Sequence, residues 1–204
     1  HQDAWFAQTP LRDVTLTKVS GRTRGIAASP HAYRLANLSV RDTRFDDADL
    51  VGLLGAGGGS GESPYPNLAR LWVTAGDNVG SGGLAAFAAA ARLPHLETLA
   101  VDRTSIGDAG VTALAAAEGL DNLRHISLSW SSTGGDGLFA LLASPRRVAV
   151  SRLHFFGCRV TGEGVDDLVD TPGRPGFESL SLECNPVRFV DTERLDVLLE
   201  KYPN

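Results

Sequence analysis

Seven segments of the sequence repeat one spacing of apolar residues, Leu-x-x-Leu-x-Leu, with aliphatic or aromatic replacements. They are Leu11-Val14-Leu16, Leu35-Leu38-Val40, Leu68-Leu71-Val73, Leu96-Leu99-Val101, Leu123-Ile126-Leu128, Val150-Leu153-Phe155 and Phe177-Leu180-Leu182. Their starts lie 24, 33, 28, 27, 27 and 27 residues apart. This recurrence restricts the fold more than any local propensity. A unit of that length cannot enclose a core alone, so neighbouring units must stack and share one. The alternation within each segment predicts a strand whose apolar residues point inward and whose intervening residues point outward.

A second segment follows each strand at a nearly constant offset. Ile106 to Val111 and Val160 to Val165 start ten residues into their units. Thr133 to Leu138 and Phe45 to Leu50 occupy the same place, and Val79 to Leu84 is displaced by one. Glycines and acidic residues dominate these stretches, which predicts a turn leading into a helix. The glycines ease the tight turn, and Asp or Glu suits the free N–H groups of the helix start. The helices then carry Val111, Leu114 and Ala115, or Leu138, Leu141 and Leu142, along one side. Each unit reads as strand, turn, helix and return loop. Stacked, the units predict a parallel sheet on one side and helices on the other, curved with the narrower sheet inside.

This pattern resembles the leucine-rich-repeat family, and most closely its ribonuclease-inhibitor-type branch with long repeats and true helices. The likeness covers residues 11 to about 200 and is strongest from Leu68 to Val169. The family motif has Asn or Cys at its ninth position. Cys158 and Asn185 comply, whereas Val19, Thr43, Gly76, Thr104 and Ser131 depart from it. In one unit, Gly157 to Thr161 also resembles the cysteine-containing repeats of F-box proteins. The resemblance implies an α/β fold, a right-handed solenoid forming a horseshoe arc of about seven repeats, and a role in protein–protein interaction. A single domain over 1–204 is expected. Residues 1–10, with Trp5 and Phe6, would cap one end, and Val197, Leu198 and Tyr202 would close the other. A Gly-rich surface loop inserted at 55–66 accounts for the 33-residue spacing.

Composition narrows the partners. The net charge is −5 and the closest basic pair is Arg146-Arg147, so nothing favours a nucleic-acid backbone. The longest apolar run, Leu84 to Ala91, is far below the ~20 residues that span a bilayer. No signal-peptide pattern is visible, and a cytoplasmic monomer is expected. Of the 19 basic residues only Lys18 and Lys201 are lysines, which suggests a GC-rich, bacterial source. Two cysteines, Cys158 and Cys184, are too few for a disulfide framework.

The outward positions define the candidate binding face. One column runs Thr15, Ser39, Trp72, Ala100, Ser127, His154, Ser181, and the next runs Thr17, Arg41, Thr74, Asp102, Ser129, Phe156, Glu183. Asp42, Arg103 and Trp130 lie one step further on. Arg41, Trp72, Asp102, Arg103, Trp130, His154 and Phe156 are the expected contacts to a protein or peptide, because exposed Trp and Arg are enriched in interface hot spots. Small Ala100 and Ser127 between Trp72 and His154 predict a shallow groove with aromatic walls.

Chemical alternatives are weaker. Gly80 to Ala85 matches a dinucleotide fingerprint, yet Ala75 to Val79 separate it from its strand, and related turns recur in units lacking those glycines. Ser127, His154 and Asp102 on consecutive strands would suit a hydrolase, but no strained turn or oxyanion hole accompanies them. His154 and Cys158 are two ligands where a structural zinc needs four. The cluster Asp46-Asp47-Asp49 suits an acidic helix start better than calcium. No cofactor and no metal is expected, and no enzymatic activity.

Overall fold

A computed structural model describes residues 12–55, 63–164 and 178–186. Seven strands form one parallel sheet in chain order: β1 (Asp13–Thr17), β2 (Asn37–Asp42), β3 (Arg70–Ala75), β4 (Thr98–Asp102), β5 (His125–Ser127), β6 (Arg152–His154) and β7 (Ser179–Ser181). Each is centred on one of the predicted apolar segments. Among the described residues, five helices run between β1 and β6: α1 (Thr23–Ala27), α2 (Asp47–Gly52), α3 (Ser81–Ala90), α4 (Gly107–Ala116) and α5 (Gly135–Ala143). The expected end caps and most of the 55–66 insertion lie outside the described residues, as does Phe177.

The core is the shared layer between sheet and helices. Leu38, Leu71, Leu99, Ile126 and Leu153 stand in register across β2 to β6, all buried. Val111, Leu114, Leu138 and Leu141 meet them from the helix side. Adjacent strands stand ~4.8 Å apart and packed helices 8–10 Å, so such a stack curves with the sheet on the concave side.

Gly107 eases its turn as expected, with φ of 59°, but other glycines of these turns have a second cause. A Cβ on Gly83 would fall 2.1 Å from Asp47 Oδ1, and one on Gly137 2.6 Å from Asp108 Oδ1. The glycines make room for an aspartate of the preceding unit. Asp47 Oδ1 accepts from Gly80 N (2.7 Å), and Asp108 Oδ1 accepts from Gly134 N (2.7 Å) and Gly137 N (2.9 Å). These acids therefore cap the next unit's helix, while Asp46 caps its own through Asp49 N. Asp49 points the other way, to Gly21 N and Thr23 Oγ1. The three neighbouring aspartates thus serve three separate places. The described residues contain no group of three metal-ligating side chains.

The ninth position works without asparagine. Thr104, Ser131 and Cys158 are buried one behind another. Ser131 Oγ lies 2.7 Å from Thr133 Oγ1 and 3.7 Å from Cys158 Sγ, whose thiol donates to Leu128 O at 3.1 Å. Asn185 ends the row, donating to Phe155 O and Leu182 O and accepting from Val160 N. Gly76 has a steric reason, since a Cβ there would sit 2.4 Å from Thr43 O. Both cysteines are free; Cys158 is buried and Cys184 exposed.

Two charged residues, Arg147 and Asp42, are held inside the fold. Arg147 is fully buried behind α4, whereas Arg146 beside it forms exposed pairs with Glu118 and Asp121. Asp42 turns into the loop between units instead of lining the open face. It accepts from Ser20 N, Ser20 Oγ and Arg44 N at 2.9–3.0 Å. The amides of Ser20 and then Arg44 hold its carboxyl down at about 2. A depressed carboxylate stabilises the fold above its unfolded value near 4 and loses that contribution as pH falls through 2. The thermal stability gap between the protein and its Asp42→Asn variant should therefore be widest above pH 4 and shrink toward pH 2. A constant gap would mean that the charge on Asp42 contributes nothing.

Candidate functional site

Strand alternation places three outward columns on the open face. The two expected from the sequence are present, with Trp72, Ala100, Ser127 and His154 in direct register. A third precedes them: Asn37, Arg70, Thr98, His125, Arg152 and Ser179. This column adds to the two expected ones, and the same period-two rule generates it one outward step upstream.

Around β4 to β6 the face is polar and internally bonded. Ser127 Oγ donates to Asp102 Oδ1 at 2.8 Å, and Ser129 N donates to the same oxygen at 2.9 Å. Burial pushes the Asp102 carboxyl up, opposed by these two donors. His154 Nε2 lies 3.3 Å from Ser179 Oγ, and its ring meets His125 edge-on at 4.7 Å. Burial, then His154 and Arg152, shift His125 toward its neutral form. Ser127 is thus bonded to the acid directly, without the histidine between them that a hydrolytic relay requires. Between Trp72 and His154, Ala100 is 1% exposed and Ser127 7%.

Beyond the C-terminal ends of the strands lies a second, more apolar patch. Here the chain bends through left-handed backbone at the same place in five units, at Lys18, Arg103, Trp130, Gly157 and Cys184, with φ between 56 and 65°. In β2 and β3 the equivalent Asp42 and Ala75 continue the strand. A side chain in this conformation costs about 1 kcal/mol or more, and only Gly157 avoids it. The bend leaves Trp130 half exposed, at 50%. Its indole meets the Phe156 ring edge-on at 5.5 Å and lies over Gly157, where a Cβ would fall 2.7 Å from the ring. Arg103 is exposed one unit earlier, and Trp72 and Arg41 are exposed on β3 and β2.

The structure therefore groups Trp130 with Phe156, and His154 with His125. Asp102 is held inside the sheet face by Ser127 and Ser129. The Gly80 turn receives a protein carboxylate, Asp47, at the place a nucleotide phosphate would need.

The family described as Leucine Rich repeat matches residues 92–115, which include β4 and nearly all of α4. No curated protein sequence matches the chain. Among solved structures it is similar to a chain in the crystal structure of the Rad7 and Elc1 complex in yeast, with a TM-score of 0.64 and 18% identity. The match covers 98% of this chain and 50% of the other, so the present chain spans about half that length. Repeat match, strand order and stacked strand–helix units agree: this is an α/β leucine-rich-repeat solenoid.

Proposed function

We propose that the chain is a non-enzymatic recognition module that binds a protein or peptide segment on the open face of its sheet, as part of a larger regulatory protein. The observation that carries this reading is the Trp130–Phe156 pair. A large aromatic stands half exposed on a strained backbone bend, supported by a second ring and a glycine floor. A core would have enclosed the indole, and the bend shared by five units carries here a large aromatic of the type enriched in interface hot spots. Arg41, Trp72, Arg103, His154 and Phe156 extend the contact surface, with Asp102 ordering β4 and β5 beneath it. That the solved relative comes from a two-protein complex supports a protein partner. The finer assignments to a ribonuclease-inhibitor-type branch, a bacterial source and a cytoplasmic monomer belong to the same proposal.

The test is affinity capture from a lysate of the source organism, comparing the chain with its Trp72→Ala/Trp130→Ala variant. A Phe139→Ala variant controls for the helix side, where Phe139 is also exposed. A partner retained by the parent and by Phe139→Ala, but lost from the double variant, is the expected result. Equal capture by all three would move the site off this face.

A further inference from the structure

We infer that the segment bound on this face is acidic, a stretch of Asp and Glu interleaved with apolar residues that lies across β2 to β5. The inference rests on the recognition role proposed above and specifies its partner.

The chain as a whole is acidic, at −5, yet its open face is not. Arg41 on β2, Arg70 on β3 and Arg103 after β4 are all exposed. Among the described residues none of the three has a carboxylate within 4.0 Å, unlike Arg146, Arg147 and Arg152, which are paired. The anions nearest in the fold are already engaged. Asp42 is turned into the inter-unit loop by Ser20 and Arg44, and Asp102 holds Ser127 and Ser129. Three cations thus face solvent over β2 to β4, where Asp42 and Asp102 are occupied and the exposed Glu183 lies at the far end beyond β7, on a molecule that would otherwise repel acidic chains.

Their placement suits an extended ligand. Arg70 and Trp72 are successive outward residues of β3, and Trp72 pairs with Ser39, one outward position before Arg41. Arg103 and Trp130 then occupy the same bend in consecutive units. Cation and aromatic alternate across four strands. Three strand steps cover roughly 14 Å, about four extended residues of a crossing peptide. Arginine offers a planar fork to each carboxylate, and the indoles accept apolar side chains between them.

The probe is a random dodecapeptide library displayed on phage and selected on the full 204-residue chain. Selections on two variants run beside it: R41E/R70E/R103E, which reverses the charge, and R41K/R70K/R103K, which keeps it. All three cations are exposed, so neither variant should change the melting temperature appreciably. The expected outcome is enrichment of peptides rich in Asp and Glu with an aromatic or aliphatic residue between them. A resynthesised winner should bind the charge-reversed variant at least about tenfold more weakly. It should lose less on the lysine variant, and weaken as salt is raised. Enrichment of neutral or basic peptides, equal binding to the charge-reversed variant, or no enrichment at all would each overturn the acidic assignment. The capture experiment with Trp72 and Trp130 is independent of these outcomes, so the recognition reading stands or falls separately.

Discussion

Replacing Arg147 with alanine is expected to lower the stability of the chain by about 3–5 kcal/mol, although it lies behind α4, away from the open face of the sheet. The helix α4 ends at Ala116, and the last carbonyls of a helix have no partner within it. Arg147, from the following unit, supplies one. Its Nε and Nη2 donate to Leu114 O at 3.2 and 2.7 Å, Nη2 also to Ala117 O at 2.6 Å, and Nη1 to Leu120 O at 3.0 Å. Ser144 Oγ adds a bond to Ala115 O at 2.6 Å. A buried cation at a helix C-terminus also meets the negative end of the dipole, and Asp121 lies 3.7 Å from Nη1. Burial pulls the guanidinium pKa down, with Asp121 acting against that shift.

Truncation removes all of these donors and leaves the carbonyls in a dry pocket. Arg147→Met, which keeps the volume, should recover little, because the loss is polar. Arg147→Lys should recover only part, since one ammonium cannot span three separate carbonyls as a planar fork does. Urea unfolding would read the loss directly, and the melting temperature should fall by roughly 10 °C. Amide exchange should accelerate first in the last turn of α4. A loss below about 1 kcal/mol would mean that water replaces the guanidinium at no cost.

The case of Arg147 also marks where sequence stops being informative. The ladder of Leu38, Leu71, Leu99, Ile126 and Leu153 was legible because burial on one face imposes a period, and a period survives in the letters. Arg146 and Arg147 read alike as an adjacent basic pair, yet one is exposed and the other enclosed. The difference is set by the carbonyls of Leu114, 33 residues earlier, which no local pattern encodes. The aspartates of the turns are an intermediate case. Their spacing was visible, but Asp108 serves Gly134, one unit on, and that destination depends on how the units stack. The open face divides in the same way. Trp72 was placed outward by phase, between the inward Leu71 and Val73, whereas Trp130, two residues after the inward Leu128, stands outward because of the bend. Arg70, His125 and Arg152 follow from the same phase, one outward step upstream of the apolar pair that marks each strand. The left-handed bend at Arg103 and Trp130 carries no mark in those residue types. Gly157, one unit later in the same place, is its one local sign.

Gly157 gives the sharpest test of how the binding face is built. Gly157→Ala should both destabilise the chain and displace Trp130 while leaving every aromatic side chain in the sequence. Two costs combine. Gly157 has φ of 65°, where a side chain costs about 1–2 kcal/mol. The added Cβ would also stand 2.7 Å from Cδ2 and Cε3 of the indole, too close for either to remain in place. Left-handed strain alone is tolerated at Arg103 and Trp130 in the same position of their units, so the backbone should keep its course and the ring should give way. A total loss of about 2–3 kcal/mol is expected, with partner capture falling as far as in Trp130→Ala. Tryptophan emission should shift to the red as the indole leaves Phe156 for water. Gly157→Ala in a Trp130→Ala background separates the two costs, because only the backbone strain of about 1–2 kcal/mol should remain. If Gly157→Ala costs the same in both backgrounds and spares capture, the indole does not rest on the glycine, and the partner must be held elsewhere on the face.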